Sequence, residues 1–71
     1  MMPDLDTNLP SIRQIQSLIK EKKEVELKVV TGDLIAGKIF WQDSECLSVL
    51  DHYDRQTVIW KHAIVFIQPK A

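Results

Sequence analysis

Apolar residues follow two different rhythms along the chain. From Pro10 to about Glu21 they recur at helical spacing: Ile12, Ile15, Leu18 and Ile19 share one face, and Arg13, Gln14, Gln16, Ser17 and Lys20 take the other. This predicts an amphipathic helix from about Pro10 to Glu21 or Lys22. Proline is favoured at the first helical position, and Ser11 with Gln14 offers an alternative start as an S-x-x-Q capping box. Lys20, Lys22 and Lys23 crowd the predicted last turn, where cations face the negative end of the helix dipole. Residues 1–9 show no periodicity and read as a flexible lead-in to a domain at 10–69.

Beyond the helix the period falls to two. Val25, Leu27 and Val29 alternate with Glu26 and Lys28, the mark of a half-buried strand. Thr31-Gly32-Asp33 is a tight turn in which Gly32 supplies positive φ. Leu34 to Gln42 reads as a long second strand, with Gly37 at an expected bend or bulge. Asp43-Ser44-Glu45 is a polar break. Cys46 to Leu50 is a third strand, with Leu47 and Val49 opposite Cys46, Ser48 and Leu50. Asp51 to Arg55 is a polar hairpin loop, and Gln56 to Trp60 a fourth strand. Lys61-His62-Ala63 interrupts before a fifth strand, Ile64 to Gln68, ended by Pro69. One helix and five short strands, one sharply bent, predict a mainly β fold: a small barrel whose bent strand serves two sheets. The fourth and fifth strands are continuously apolar (Val58-Ile59-Trp60, then Ile64-Val65-Phe66-Ile67), so a second face or an edge must be covered. Pairing of the fourth strand with the fifth strand of a neighbour would cover it, and repetition closes a ring if the rotation permits.

Composition sharpens this. A chain of 71 residues is one domain, and one this short buries only about 60% of its unfolded surface, so an extra stabiliser is expected. Cys46 is the only cysteine, which excludes an internal disulfide and fits a reducing, cytoplasmic compartment. Cys46, His52 and His62 lack zinc-ligand spacing, and no metal or cofactor is expected. Association with further copies is what remains. Nine Lys and Arg against ten Asp and Glu leave a net charge of −1, so any nucleic-acid site must be a local patch. Asp4 and Asp6 stand where a secretory leader would carry Lys or Arg, and no apolar run approaches the ~18 residues of a membrane span.

Two segments resemble a known family. Val29-Val30-Thr31-Gly32-Asp33-Leu34-Ile35-Ala36-Gly37-Lys38-Ile39 looks like the first Sm motif: apolar residues, a turn glycine, then a second glycine at the bend. Ile59-Trp60-Lys61-His62-Ala63-Ile64 is similar to the second motif as bacterial Hfq proteins write it, an aromatic followed by Lys-His-Ala-Ile. The resemblance to the Hfq family covers about residues 10–69. It implies an Sm-like (SH3-like) barrel, a homohexameric ring, RNA binding on two faces and a rim, and post-transcriptional pairing of small regulatory RNAs with messages, as an RNA chaperone.

The same resemblance implies site residues. Lys61 and His62 match the family's pore-lining Lys-His, where Lys contacts phosphate and His stacks or bonds a base edge. An exposed turn with two solvated polar residues accounts for them equally simply. The family's glutamine and stacking aromatic after the bent strand's aspartate are replaced by Ser44 and Glu45, which removes a platform of about 1–3 kcal/mol per base. On the opposite face, Lys28 stands where the family places an aromatic; a strand lysine paired with Glu24 or Glu26 explains it too. At the rim, Lys20, Lys22 and Lys23 replace arginine, interleaved with Glu21 and Glu24. Gly32, Gly37 and Trp60 are read as structural, Trp60 near a subunit contact. Trp41 and Phe40 either face a partner or pack beneath the helix or loop. The loop Asp51-His52-Tyr53-Asp54 lacks a nucleophile elbow, phosphate loop or paired-metal spacing, so no enzyme is predicted. Two functions follow: an RNA-binding ring with weakened or altered affinity, or a ring of the same fold that acts mainly through a protein partner.

Overall fold

The computed structural model describes residue 6 and residues 8–70; the rest of the lead-in lies outside the described residues. Helix α1 spans Pro10–Glu21. Leu9 caps it without a side-chain hydrogen bond, and Pro10 occupies the first turn. The helix therefore starts through proline, and Ser11 forms no capping box. At the other end Lys22 adopts the left-handed conformation (φ 54°, ψ 39°). Its N–H donates to the Ile19 carbonyl and that of Lys23 to the Leu18 carbonyl, both at 3.2 Å. This pair of bonds closes a helix C-terminus where glycine is usual. Lys20 alone remains in the last helical turn.

Five antiparallel strands follow: β1 Glu24–Val29, β2 Leu34–Gln42, β3 Cys46–Leu50, β4 Gln56–Trp60 and β5 Ile64–Pro69. They form one sheet in the order β4-β3-β2-β1-β5. β2 is the shared strand. Leu34 to Lys38 pair with β1, and Lys38 to Gln42 pair with β3. The register break lies between Ile39 and Trp41, not at Gly37. Gly37 is required for a different reason. A Cβ there would run into the Leu50 carbonyl oxygen and stand 2.9 Å from Val49 Cγ1. Gly32, at φ +95°, turns β1 into β2 as expected.

Leu18, Val25, Leu27, Ile39, Leu47, Val49 and Ile59 form the buried core, with Ile15, Ile19, Ile64 and Ile67 packed against it. The stripe of α1 thus covers one face of the sheet. The third strand departs from simple alternation, because Cys46 and Ser48 are buried as well as Leu47 and Val49. Register explains why. Cys46 pairs with Trp60, and Ser48 pairs with Trp41 on one side and Val58 on the other. Directly paired residues share a face, so small residues in β3 sit between large neighbours. Trp41 is half-buried and Phe40 exposed. β4 and β5 end the sheet, and Val58, Trp60, Val65 and Phe66 stay exposed there.

Candidate nucleic-acid interface

The segment Lys61–Ala63 between β4 and β5 is a single 3-10 turn. It is held on both sides. The Val30 N–H donates to the Ala63 carbonyl at 2.8 Å, and the Lys61 N–H donates to the Glu45 carbonyl at 2.7 Å. The second bond sets the Lys-His pair against the turn at residues 43–45. That turn is organised by Asp43, whose Oδ1 accepts the N–H groups of Glu45 at 2.9 Å and Cys46 at 2.7 Å. Those two bonds hold the Asp43 carboxyl below its usual range, with help from the Lys61 charge. Ser44 and Glu45 are exposed at the tip. Lys61, His62, Ser44 and Glu45 therefore belong to one place.

Within it the two basic residues differ. His62 is exposed, and its ring lies 6.0 Å from that of Trp60, inclined by 22°. Trp60 is itself 54% exposed, so the pair offers an aromatic surface where Glu45 offers none. Lys61 is half-buried, and burial pushes its ammonium below the ordinary lysine range, partly countered by the Asp43 carboxylate. Lys61 Nζ donates to Gln42 Oε1 at 2.9 Å. Gln42 Nε2 in turn donates to Gln16 Oε1 at 2.7 Å and to the Ile12 carbonyl at 3.2 Å. A line of polar groups thus runs from α1 through the end of β2 to Lys61. Neither glutamine stands out in the sequence, where Gln16 is on the polar face of a helix and Gln42 ends a strand. Beside Lys61, a groove of about 380 Å³ opens between α1 and β5, floored by Leu18, Leu47 and Ile64.

The other candidate cations lie elsewhere. Lys20, Lys22 and Lys23 are exposed at the C-terminal end of α1. Lys28 is half-buried in β1, opposite Leu34 and Phe66. Among the described residues it forms no ion pair; Glu24 instead faces His52 at 3.5 Å and Lys70 at 3.7 Å. The Asp51 loop is structural. Asp51 Oδ1 accepts the N–H groups of Tyr53 and Arg55 at 2.8 and 3.0 Å, and Oδ2 accepts from Arg55 Nε at 3.2 Å. Among the described residues no group of His, Cys, Asp and Glu could hold a metal ion. No described helix is long and apolar enough to cross a membrane.

A helix leading into five antiparallel strands, with one strand divided between two neighbours, defines an Sm-like fold. The sequence model of the family described as "Hfq related" matches residues 9–69, and the chain belongs to that family. It is similar to an Hfq protein from Anabaena sp., whose crystal structure superposes with a TM-score of 0.80 at 56% identity, over 87% of this chain and 98% of that one. A crystal structure of the pleiotropic translational regulator Hfq superposes with a TM-score of 0.77 over 82% of this chain and 95% of that one. At 22% identity, that second likeness speaks for the fold alone. No curated protein matches the sequence.

Proposed function

We propose that the chain, as one Sm-like domain over residues 10–69, assembles into a cytoplasmic homohexameric ring that binds single-stranded RNA and regulates messages after transcription. Lys61 and His62 line the ring's pore with Ser44 beside them, and affinity for RNA is lower than in a family member with intact stacking positions. The observation that carries this is the placement of the Lys61-His62 turn, tied through Lys61 N–H to the Glu45 carbonyl and flanked by exposed Trp60. Ring closure is supported by the two unpaired edges. β4 and β5 present exposed Val58, Trp60 and Val65 in a 71-residue chain with little core to spare. Lys20, Lys22, Lys23 and Lys28 add further phosphate contacts. Reduced affinity follows from Glu45 and Lys28, which put a carboxylate and an ammonium where bases would stack; each missing stack costs about 1–3 kcal/mol.

A titration of uridine-rich and adenosine-rich RNA at fixed salt, with light scattering on the same sample, tests the reading. A hexamer mass with measurable, salt-sensitive binding that Lys61→Ala with His62→Ala abolishes is expected. A monomer mass at micromolar concentration, or binding indifferent to that double substitution, would overturn it. Exposed Glu45 favours a second reading, a ring that works chiefly by holding a protein partner; RNA binding absent at low salt from an intact ring would select it.

A further inference from the structure

We propose that Gln42 is a positioning residue that presents the Lys61 ammonium to an anionic ligand without neutralising it. The inference rests on the RNA-binding reading of Lys61 and adds the residue that makes it effective. Both ends of the Gln42 amide are chemically unambiguous. The Ile12 carbonyl can only accept, so the atom facing it is Nε2. A lysine ammonium can only donate, so the atom facing it is Oε1. Flipping the amide would turn both contacts repulsive, which locks its orientation. The lock joins positions far apart in sequence: Ile12 and Gln16 on α1, Gln42 at the end of β2, and Lys61 after β4.

The consequence lies in what Lys61 keeps. An ammonium has three donors, and the tether to Gln42 occupies one of them. Among the described residues the others make no hydrogen bond, which leaves them to a phosphate or base oxygen, on a side chain whose rotamer freedom is already spent. Immobilising a long side chain on binding costs roughly 0.5–1.5 kcal/mol. A neutral amide removes that cost and leaves the positive charge whole. The Asp43 carboxylate acts on the Lys61 charge, but its Oδ1 is engaged by the N–H groups of Glu45 and Cys46, and among the described residues it forms no ion pair with Lys61. A carboxylate at position 42 would hold the ammonium equally well and cancel its charge.

The test compares Gln42→Met, Gln42→Glu, Gln16→Ala and Lys61→Ala in titrations with a uridine-rich oligonucleotide at several salt concentrations. Gln42→Met should weaken binding by about three- to tenfold, the equivalent of one side chain's ordering cost. That loss should vanish when Lys61→Ala is already present. Gln42→Glu keeps an acceptor for Lys61 but sets its second oxygen against the Ile12 carbonyl, so it should lower the melting temperature somewhat, and in the protein that remains folded it should weaken binding and flatten its salt dependence by about one phosphate contact. Gln16→Ala, which loosens α1 and spares the Lys61 contact, should change affinity less than Gln42→Met. An equal loss from Gln42→Met with and without Lys61 would make Gln42 a general structural residue and overturn the proposal. A second measurement needs no RNA: the Lys61 ammonium proton signal in NMR should exchange slowly in the wild type and in Gln16→Ala, and fast in Gln42→Met. Equal exchange in all three overturns the tether. Should Lys61→Ala leave RNA binding unchanged, the role proposed for Lys61 fails, and the exchange rates still decide whether Gln42 holds it.

Discussion

β3 and β5 are both apolar strands, and their fates differ. Cys46, Leu47, Ser48 and Val49 are all buried by the chain's own neighbours, whereas Val65 is 58% exposed and Phe66 is exposed beside it. β3 lies between β2 and β4; β5 has β1 on one side and no strand on the other. Composition alone does not separate a strand buried within its own chain from one left at the sheet edge. Position in the sheet does. Small residues in β3 under Trp41, Val58 and Trp60 belong to an interior already closed. The unpaired backbone and bare valine of β5 belong to an edge left open, and long apolar edges in stable proteins are covered.

The largest effect should come from Gly37, where β2 approaches the end of β3. Gly37→Val places a Cβ into the Leu50 carbonyl, which is backbone that cannot move aside, and against the Val49 side chain. Overpacking a core typically costs about 1–3 kcal/mol, and a clash with backbone should reach at least the top of that range. Insoluble protein or a strongly lowered urea midpoint is expected; a wild-type midpoint would mean the approach is looser than it stands here. The next pair of substitutions separates the two strands directly. Leu47→Ala in β3 should destabilise the chain by roughly 2–5 kcal/mol whatever its state of association. Val65→Lys in β5 should leave the subunit folded, as exposed positions usually shift stability by less than about 0.5 kcal/mol, while lowering the mass seen by light scattering. An intact hexamer in Val65→Lys would show that this edge is not the seam.

Much of this architecture was legible from periodicity. The helix, five strand segments and the Lys61–Ala63 interruption follow from alternation, a proline and polar breaks, and the structure places them at those positions. What was not legible depends on contacts between distant segments. The second buried face of β3 exists because Trp41 and Trp60 fall opposite Ser48 and Cys46, a matter of register. The role of Gly37 requires knowing that Leu50 passes beside it, and the irregularity expected there appears at Phe40 instead. Lys61 and His62 are candidates through a short motif, and the structure brings their turn against residues 43–45. Gln42 was missed because a glutamine at a strand end carries no local signal, and its meaning comes from Ile12, Gln16 and Lys61.

A third experiment asks why β3 starts where it does. Asp43 folds the turn into β3 by accepting two backbone N–H bonds, and its carboxyl is held below an ordinary value of 3.8. A lowered folded pKa adds stability above the unfolded value, and this is lost as pH falls through the folded one. Asp43→Asn should therefore be less stable than the wild type at neutral pH, and the gap should narrow below about pH 4 as the wild-type carboxyl becomes protonated. A gap independent of pH would locate the effect in packing rather than charge.

The smallest effect should be a gain. Ser48 is fully buried, and its Oγ has no hydrogen-bond partner among the described residues. Cys46 shares that face of β3 but needs no partner: burial raises its thiol above the ordinary range, and a buried thiol behaves as a small hydrophobe. A hydroxyl has a stronger claim on water. Burying it unpaired costs about 1–3 kcal/mol, and removing the group returns most of that. Ser48→Ala leaves a void of one oxygen between Trp41 and Val58, which takes back part of the gain. The expected balance is a rise of about 0.5–1.5 kcal/mol in unfolding free energy, read from a higher urea midpoint at unchanged slope. Because the site is closed by the chain's own strands, the gain should be the same in the wild-type background and in Val65→Lys. A fall in stability would mean that Ser48 Oγ finds a partner in solution. A gain confined to the wild-type background would mean that β3 is finished only by its neighbours, and the contrast with β5 would dissolve.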